Sequence, residues 1–357
     1  MQDANQHTEN QDRSLCQLRG FVLANSYKKN AGLLLQSLNS IPEVSSFSKT
    51  DVSVAPVSRT RSGSVTAMTN ATPMAEAVST ADPIAVDDSA VDEMNRLDMC
   101  HAVMVKTIGN RLFLAPVDEA KTQRILDIGT GTGIWAMEMG DLFPNAQVLG
   151  NDLSAIQPDW VPPNVKFEID DVESPWVQDR KYDFIFCRYM NGSLADWPTF
   201  MKRVYENLNP GGWAEFQDWN FMLCSDDGSI EGSETLRWSH LFHEAAKVYG
   251  RESQVGPKLE ALVQENTGLV NIHHKPYKIP VGPWAKDPHL KDLGMCNLIQ
   301  LLDGLEGFSL RLLCGALGWT KEEVLVLLAG VRKELKSGKL HGYLKYDVVY
   351  GQKPEED

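Results

Sequence analysis

A glycine-rich turn directly after a short apolar segment is the feature that most constrains the fold of this chain. Residues 124–134 read RILDIGTGTGI, in which Gly129, Gly131 and Gly133 occupy alternate positions. Glycine allows a tight turn and lets the backbone approach a ligand where any Cβ would intrude. The segment therefore predicts a buried strand, a glycine turn and a helix that together bind a nucleotide-shaped cofactor.

The carboxylate of Asp127, near the end of the predicted strand, indicates which kind of cofactor is bound. A phosphate prefers free N–H groups and the positive end of a helix, so an acidic side chain beside the turn disfavours it. The carboxylate favours cationic or hydroxyl groups, and S-adenosylmethionine carries an amino group, a sulfonium and a ribose. A dinucleotide-dependent dehydrogenase is the competing interpretation, but its fingerprint is GxGxxG, whereas residues 129–133 read GTGTG. We therefore predict S-adenosylmethionine as the cofactor.

Composition narrows the class of protein and its partners. The chain has 357 residues, of which 43% are hydrophobic, enough for a sizeable core. No stretch approaches the roughly 20 apolar residues that span a bilayer, and the N-terminus lacks a signal segment. Six cysteines without paired spacing fit reduced thiols. A net charge of −14 without a basic patch disfavours direct binding to nucleic acid. We expect an intracellular protein without membrane association, in the cytoplasm rather than the nucleus.

The hydrophobic pattern divides the chain into a tail and one domain. Residues 1–88 are rich in Ser, Thr, Ala, Asn and Asp and predict a disordered, low-complexity tail, whereas residues 89–357 predict a single α/β domain. The domain is predicted to begin with a helix over 89–108 and to continue with strands over 124–128, 147–151, 165–169, 182–187 and 213–217, separated by helices over 134–142 and 198–208. This alternation predicts a parallel sheet that binds its ligand where the strand order reverses, beside the glycine turn.

The C-terminal third departs from simple alternation. The pattern predicts helices over 232–249 and 257–266, a strand over 269–279, several helices within 291–336 and a last strand over 343–350. We therefore predict a seven-stranded sheet closed by an antiparallel edge strand, with a helical insertion over about 284–340 that covers the binding crevice as a lid. Residues 209–213 (NPGGW) predict a tight structural turn before the fifth strand.

Acidic residues after the second and third predicted strands extend the cofactor site. Asp152 follows the glycine turn by about twenty residues, where a carboxylate accepts both ribose hydroxyls; capping of a turn is the alternative. Asp170 or Asp171 is predicted to accept the adenine amino hydrogen, with Val172 against the ring, and a solvated acidic loop is the alternative. Arg188, after the fourth strand, is predicted to lie near the methionine half. The predicted cofactor residues are Asp127, Gly129, Thr130, Gly131, Gly133, Asp152, Leu153, Asp170, Asp171, Val172 and Arg188.

Methyl transfer from such a cofactor is an in-line displacement, so the protein mainly aligns the two reactants and excludes water. A base would assist an acceptor that is a hydroxyl or an acidic carbon, and the candidates are Asp218, Glu215 and His240, in that order. Each has a structural alternative: a turn residue for Asp218, a strand-face partner for Glu215, and a surface or packed imidazole for His240. No metal site is predicted, because no carboxylate or second HxxxH arrangement completes one.

Longer motifs resemble a known family. Residues 125–135 (ILDIGTGTGIW), 151–164 (NDLSAIQPDWVPPN), 167–171 (FEIDD), 192–198 (GSLADWP), 211–218 (GGWAEFQD) and 282–288 (GPWAKDP) resemble the LaeA-like fungal methyltransferases, and the likeness covers about residues 92–354. It implies a class I S-adenosylmethionine-dependent methyltransferase with a Rossmann-like seven-stranded sheet, and a connection with fungal secondary metabolism.

The resemblance leaves two roles open. One is a tailoring enzyme that methylates a small-molecule acceptor; the other is a nuclear regulator of metabolite gene clusters that acts through protein partners or protein methylation. Thr130 stands where the regulator-type members carry a Cys, the region around Asn151 and Asp152 also differs, and no Lys/Arg cluster for nuclear import is present. These departures favour the tailoring enzyme.

Overall fold

The computed structural model of the protein describes residues 88–176 and 180–355. The tail predicted over residues 1–88 therefore lies, except for its last residue, outside the described residues. Seven strands form one sheet in the described part of the chain: β1 (Arg124–Ile128), β2 (Gln147–Asp152), β3 (Val165–Ile169), β4 (Tyr182–Arg188), β5 (Leu208–Cys224), β6 (Val270–Pro280) and β7 (Tyr343–Gln352).

Helices flank this sheet. They are α1 (Asp88–Thr107), α2 (Ile134–Leu142), α3 (Trp197–Glu206), α4 (Glu234–Val248), α5 (Leu259–Asn266), α6 (Pro288–Leu317) and α7 (Lys321–Lys336), with a 3-10 turn over Gly256–Lys258. No helix in the described ranges is long and apolar enough to cross a membrane. Each predicted helix and strand before residue 200 is confirmed to within about two residues, because those segments carry clear periodicity.

The strand order is β3-β2-β1-β4-β5-β7-β6. The order reverses at β1, which pairs in parallel with β2 on one side and β4 on the other, so the predicted reversal of strand order beside the glycine turn is confirmed. The prediction that the antiparallel strand lies at the edge of the sheet was wrong. β7 is antiparallel but lies between β5 and β6, and β6 forms the edge. Burial explains this, since β7 is buried on both faces, whereas much of β6 is exposed.

The fifth strand is longer than predicted, and the predicted turn before it was wrong. Residues 209–212 are part of β5 as an irregularity, where pairing with β4 shifts between Tyr182 and Phe184. Gly211 adopts φ 76° within this irregularity, a left-handed conformation that favours glycine. The Pro-Gly-Gly sequence therefore bends a continuous strand and does not separate it from the preceding helix.

Two hydrophobic clusters cover the faces of the sheet. Ile125 and Phe184 face α2, whereas Leu126 and Ile185 face α3 and α5 on the other side. These side chains are at most 2% exposed, and burying each one contributes roughly 1.5–3 kcal/mol. Because the central strands are fixed on both faces, their carboxyl ends hold the loops of the site rigidly.

A third cluster joins four helices to the extended end of β5. α6 packs against α1, α4 and α7, with Leu301 and Leu305 in the shared core. The Asp287 side chain caps the start of α6, and Gly318 with φ 70° ends it. The helical layer thus includes α1 and α4, which lie outside the predicted insertion of residues 284–340. The predicted role of that insertion as a lid stays a prediction.

Candidate active site

The glycine turn, residues 129–133, adopts the conformation that its composition predicts. Gly129, Gly131 and Gly133 have φ values of 68°, 56° and 80°, which side chains with a Cβ rarely adopt. A Cβ on Gly129 would overlap the sulfur of Met190, and one on Gly133 would overlap the ring of Phe167. The turn therefore requires glycine for both its backbone conformation and its close packing.

Asp127 lies at the base of the turn and is only 3% exposed. Its Oδ2 accepts a hydrogen bond of 2.6 Å from the Thr130 hydroxyl. Burial raises the pKa of Asp127 to about 7, despite the opposing effect of the hydrogen bond from Thr130. A cationic group bound beside this carboxylate would restore its ordinary ionised state.

Asp152, at the end of β2, contacts the same turn. Its Oδ2 accepts the backbone N–H of Gly131 at 2.9 Å, and its Oδ1 accepts that of Ser154 at 2.9 Å. A carboxylate offers about four acceptor positions, so these two bonds leave room for two more donors. The neighbouring Leu153 is 72% exposed, and the Gln157 amide donates to the Gly131 carbonyl oxygen at 2.6 Å. The loop after β2 is thus anchored to the glycine turn.

The loop after β3 contains the residues predicted to contact adenine. Asp170 is exposed, and Asp171 accepts hydrogen bonds from the Glu173 N–H at 2.9 Å and the Ser174 hydroxyl at 3.0 Å. The Val172 side chain is 7% exposed and packs into the core, so little of it is left for an adenine ring. The structure thus shows Asp171 as a turn residue, while its adenine contact stays a prediction.

Helix α1 contributes side chains that sequence reasoning missed. Leu97 is the nearest neighbour of a Cβ built on Gly131, and Asp98 accepts a hydrogen bond of 2.7 Å from the Thr132 hydroxyl. His101, one turn further along the same helix, is 5% exposed. Polar residues on an otherwise apolar helix face were the available signal. The structure places that face on the glycine turn.

Arg188, at the end of β4, belongs to a chain of hydrogen bonds that crosses the site. Its Nη2 donates to Nδ1 of His101 at 2.7 Å, and Nε2 of His101 lies 3.1 Å from Glu138. Because a guanidinium only donates, Nδ1 must accept and Nε2 carries the hydrogen. Burial and the Arg188 charge both lower the pKa of His101, which fits this neutral form. Nη1 of Arg188 is buried without a hydrogen-bond partner among the described residues, and such a donor suits an anionic ligand group.

Asp218, the first candidate base, is 2% exposed and holds the backbone around the end of β4. Its Oδ2 accepts the Met190 N–H at 2.9 Å, and its Oδ1 accepts the Trp219 N–H at 2.8 Å. Burial raises the pKa of Asp218 to about 8, against the opposing effect of these N–H donors. The side chain therefore connects the site to the centre of the sheet.

The other two candidate bases lie in different surroundings. Glu215 is fully buried and accepts the N–H groups of Leu114 and Ala115 at 2.7 and 2.6 Å, so its carboxylate anchors the loop before β1. His240 is an exposed residue of α4. No hydrogen bond among the described residues connects either side chain to the glycine turn. Residues 88–176 and 180–355 contain no group of three or more His, Cys, Asp or Glu side chains that could hold a metal ion.

Comparison with known proteins shows the family. A family model described as a methyltransferase domain matches residues 101–274. The chain is 46% identical over 264 residues to the methyltransferase pytC of Aspergillus terreus, covering 73% of this chain and 81% of that protein. It is 35% identical to the probable methyltransferase tdiE of Emericella nidulans, covering 73% and 82%. A secondary metabolism regulator of Cochliobolus heterostrophus is 34% identical, covering 74% and 88%.

The resemblance found in the motifs is therefore confirmed over most of the described domain. The matched family model begins at residue 101, within α1, and includes the glycine turn, β2 and the end of β4. The chain belongs to the LaeA-like family of fungal methyltransferases, class I enzymes whose methyl donor is S-adenosylmethionine.

Proposed function

We propose that the protein transfers the methyl group of S-adenosylmethionine to a small-molecule acceptor in fungal secondary metabolism. The observation that carries this proposal is the placement of two carboxylates, those of Asp127 and Asp152, on one glycine turn, where each accepts a hydrogen bond from a residue of the turn. The identity of 46% to a protein named as a methyltransferase supports methyl transfer as the activity. Transfer to a macromolecule is the broader alternative within the same chemistry.

The side chains present fit the groups of this cofactor. The amino group would lie beside Asp127, whose buried carboxylate needs a cationic partner. The carboxylate of the cofactor's methionine half would accept a hydrogen bond from the unpartnered Nη1 of Arg188. The ribose hydroxyls would donate to the remaining acceptor positions of Asp152, and the exposed Leu153 would contact the adenine. Asp170 or Asp171 would accept from the adenine amino group.

The cofactor supplies a methyl group already activated by the sulfonium, so the chain contributes alignment and exclusion of water. Asp98 of α1 bonds to Thr132 of the glycine turn, so α1 would help to exclude water from this side of the site. Asp218 holds the Met190 N–H and so positions the backbone beside the turn. We assign Asp218 and Glu215 positioning roles, since both side chains are buried and each holds backbone N–H groups of the loops around it. His240 is the base to test where the acceptor is a hydroxyl.

Turnover with the purified full-length chain tests the proposal. We expect radiolabelled methyl groups to pass from S-adenosylmethionine to a metabolite extracted from fungal culture, with S-adenosylhomocysteine formed in equal amount. Asp152→Ala should abolish most of this transfer at low cofactor concentration. Binding of the cofactor without any transfer to metabolites would contradict the tailoring role.

The alternative is a regulator that acts through protein partners. The likeness to a secondary metabolism regulator at 34% identity is the observation in its favour. The same labelling experiment, carried out with fungal protein extract, separates the two roles. Label in protein, nuclear accumulation of the chain and recovery of transcription proteins with it would favour the regulator. Label in metabolites and a cytoplasmic location would favour the tailoring enzyme.

A further inference from the structure

Tyr189 has a backbone conformation that its side chain does not favour. It directly follows β4, between Arg188 and Met190, and its φ is 63°. A bulky side chain with left-handed backbone is strained, and such strain persists only where the surroundings enforce it. Strained residues of this kind occur preferentially at binding and catalytic sites. The conformation of Tyr189 therefore requires an explanation beyond chain reversal.

Buried contacts fix the backbone on both sides of Tyr189. Its own N–H donates to the Gln217 carbonyl oxygen at 3.0 Å, and the next N–H, that of Met190, donates to Asp218 at 2.9 Å. The Asn191 amide then donates to the carbonyl oxygens of Trp219 at 2.9 Å and Ser253 at 3.0 Å. These bonds hold the backbone so that the Tyr189 ring points into the helical layer.

The Tyr189 ring joins a group of half-buried aromatic side chains. Its centroid lies 6.1 Å from that of Phe221, which in turn lies 5.4 Å from Phe242 and 6.3 Å from Phe308. All four rings are half-buried, unlike the core aromatics of the sheet. We refer to these four residues as the aromatic cluster. Contiguous, partly exposed aromatic side chains provide an apolar binding surface.

Helix α1 places this cluster beside the cofactor site. The Arg96 guanidinium lies 4.7 Å from the centroid of the Phe308 ring, while Asp98, two residues further along α1, accepts a hydrogen bond of 2.7 Å from Thr132 of the glycine turn. Arg96 is itself fixed by bonds of 2.6 and 2.7 Å to Glu93. One turn of α1 therefore touches the glycine turn with one face and the aromatic cluster with the next. A ligand on the cluster would lie next to the methionine half of the cofactor.

We propose that the aromatic cluster binds the methyl acceptor, and that the bound part of the acceptor is a flat aromatic ring system. This inference rests on the proposed function, since it assigns the acceptor to the same crevice. Offset or edge-to-face contacts with Phe221 and Phe308 would bind a planar π-system more tightly than a saturated ring of the same size. Tyr189 contributes its ring to this surface at the end of β4, beside the proposed cofactor site. Its strained backbone thus has a function, which is to aim that ring.

A matched pair of probes tests the preference for a planar ring. The full-length chain is saturated with S-adenosylhomocysteine and titrated calorimetrically with 2-naphthol and with decahydro-2-naphthol, its saturated analogue. We expect 2-naphthol to bind about 2- to 10-fold more tightly, because contacts between aromatic rings add to the free energy gained by burying apolar area. Phe221→Leu and Tyr189→Leu should remove this difference, whereas Tyr189→Phe should keep it.

A control variant separates the cluster from aromatic content in general. Phe113 is also half-buried, but it packs with Phe143 and Phe184 on another part of the sheet, so Phe113→Leu should leave the preference unchanged. Affinity for S-adenosylhomocysteine reports folding in every variant. If the wild-type chain does not bind S-adenosylhomocysteine, the proposed function itself is overturned. Retained affinity with equal binding of both probes, or with no binding of either, would overturn only the acceptor assignment.

Discussion

The backbone N–H of Gly131 donates to Oδ2 of Asp152 at 2.9 Å, although the two residues belong to different βα units. The bond connects the glycine turn after β1 to the end of the neighbouring parallel strand β2. It orients the carboxylate before any ligand arrives, so less conformational freedom is lost on binding. The acidic residue and the glycine turn therefore act as one unit in holding the cofactor.

Removal of the Asp152 carboxylate should weaken binding of the whole nucleoside. We expect Asp152→Ala to lower affinity for S-adenosylmethionine roughly 10- to 100-fold, the worth of hydrogen bonds to a charged group. Calorimetric titration measures the effect. Asp159→Ala, which removes an exposed carboxylate from the same loop, is the matched control. Unchanged affinity in a folded Asp152→Ala protein would refute the ribose assignment.

Arg188 should act only on the amino-acid half of the cofactor. We expect Arg188→Ala to weaken binding of S-adenosylhomocysteine about tenfold or more, because the carboxylate of the ligand loses a buried, charged donor. Binding of 5′-methylthioadenosine, which keeps the nucleoside but lacks the amino acid, should change little. Arg332→Ala removes an exposed ion pair with Glu306 and serves as the control. An equal loss for both ligands would point to general disruption of the site.

Cofactor affinity should depend on pH through Asp127. Its pKa in the ligand-free protein is raised to about 7, and binding of an ammonium group favours the ionised form. Below about pH 7 a proton must leave before the cofactor binds, so affinity should fall up to tenfold per pH unit. Titrations between pH 5.5 and 8.5 measure this trend. Asp127→Asn should bind weakly and without that slope, and a wild-type slope in this variant would rule out Asp127 as its source.

Stability should decrease as the pH rises from about 6.5 to 8.5. Burial raises the pKa of Glu215 to about 7 and that of Asp218 to about 8, above the values of unfolded carboxyl groups. Between the pKa values of the unfolded carboxyl groups and these raised values, the folded state holds more protons than the unfolded state, so stability is lost as the pH rises through the raised values. We expect the free energy of unfolding to fall by on the order of 1–3 kcal/mol between pH 6.5 and 8.5.

Thermal unfolding at a series of pH values tests this expectation. The window begins at pH 6.5, because the neutral, buried His101 has an opposing effect at lower pH. Asp218→Asn removes one of the titrating groups and should flatten the dependence. A melting temperature that rises from pH 6.5 to 8.5 would contradict the assignment.

Gly133→Ala should separate backbone strain from steric overlap. A Cβ at this position meets the Phe167 ring, and φ is 80°; at Gly232 φ is 70° and nothing lies within 4 Å. We expect Gly232→Ala to cost about 1 kcal/mol for the left-handed conformation alone. Gly133→Ala should cost about 2–4 kcal/mol, since overlap adds to strain. Chemical denaturation of both variants measures the difference, and equal costs would show that the Phe167 ring moves aside freely.

The first half of the domain could be predicted from sequence because its signals are local. The glycine turn and the apolar strands are identified by neighbouring residues, and Asp152 by its place at the end of the second strand, about twenty residues after the turn. The position of β7 could not be predicted, because strand order depends on how strands from distant parts of the chain are buried. The more buried β7 lies inside the sheet, and β6 forms the edge. The roles of Asp218 and Glu215 were also hidden, since backbone N–H groups from distant loops occupy their carboxylates.

The sequence by itself determined the class of fold, the place of the glycine turn and the cofactor, because backbone conformation and hydrophobic periodicity act over short distances. Only the tertiary structure brought His101 of α1 to Arg188, and Phe221 to both Tyr189 and Phe308, from elements far apart in the chain. Such contacts follow from the packing of α1 and α6 against the end of the sheet. That packing depends on the summed shape of many side chains, which no local pattern encodes.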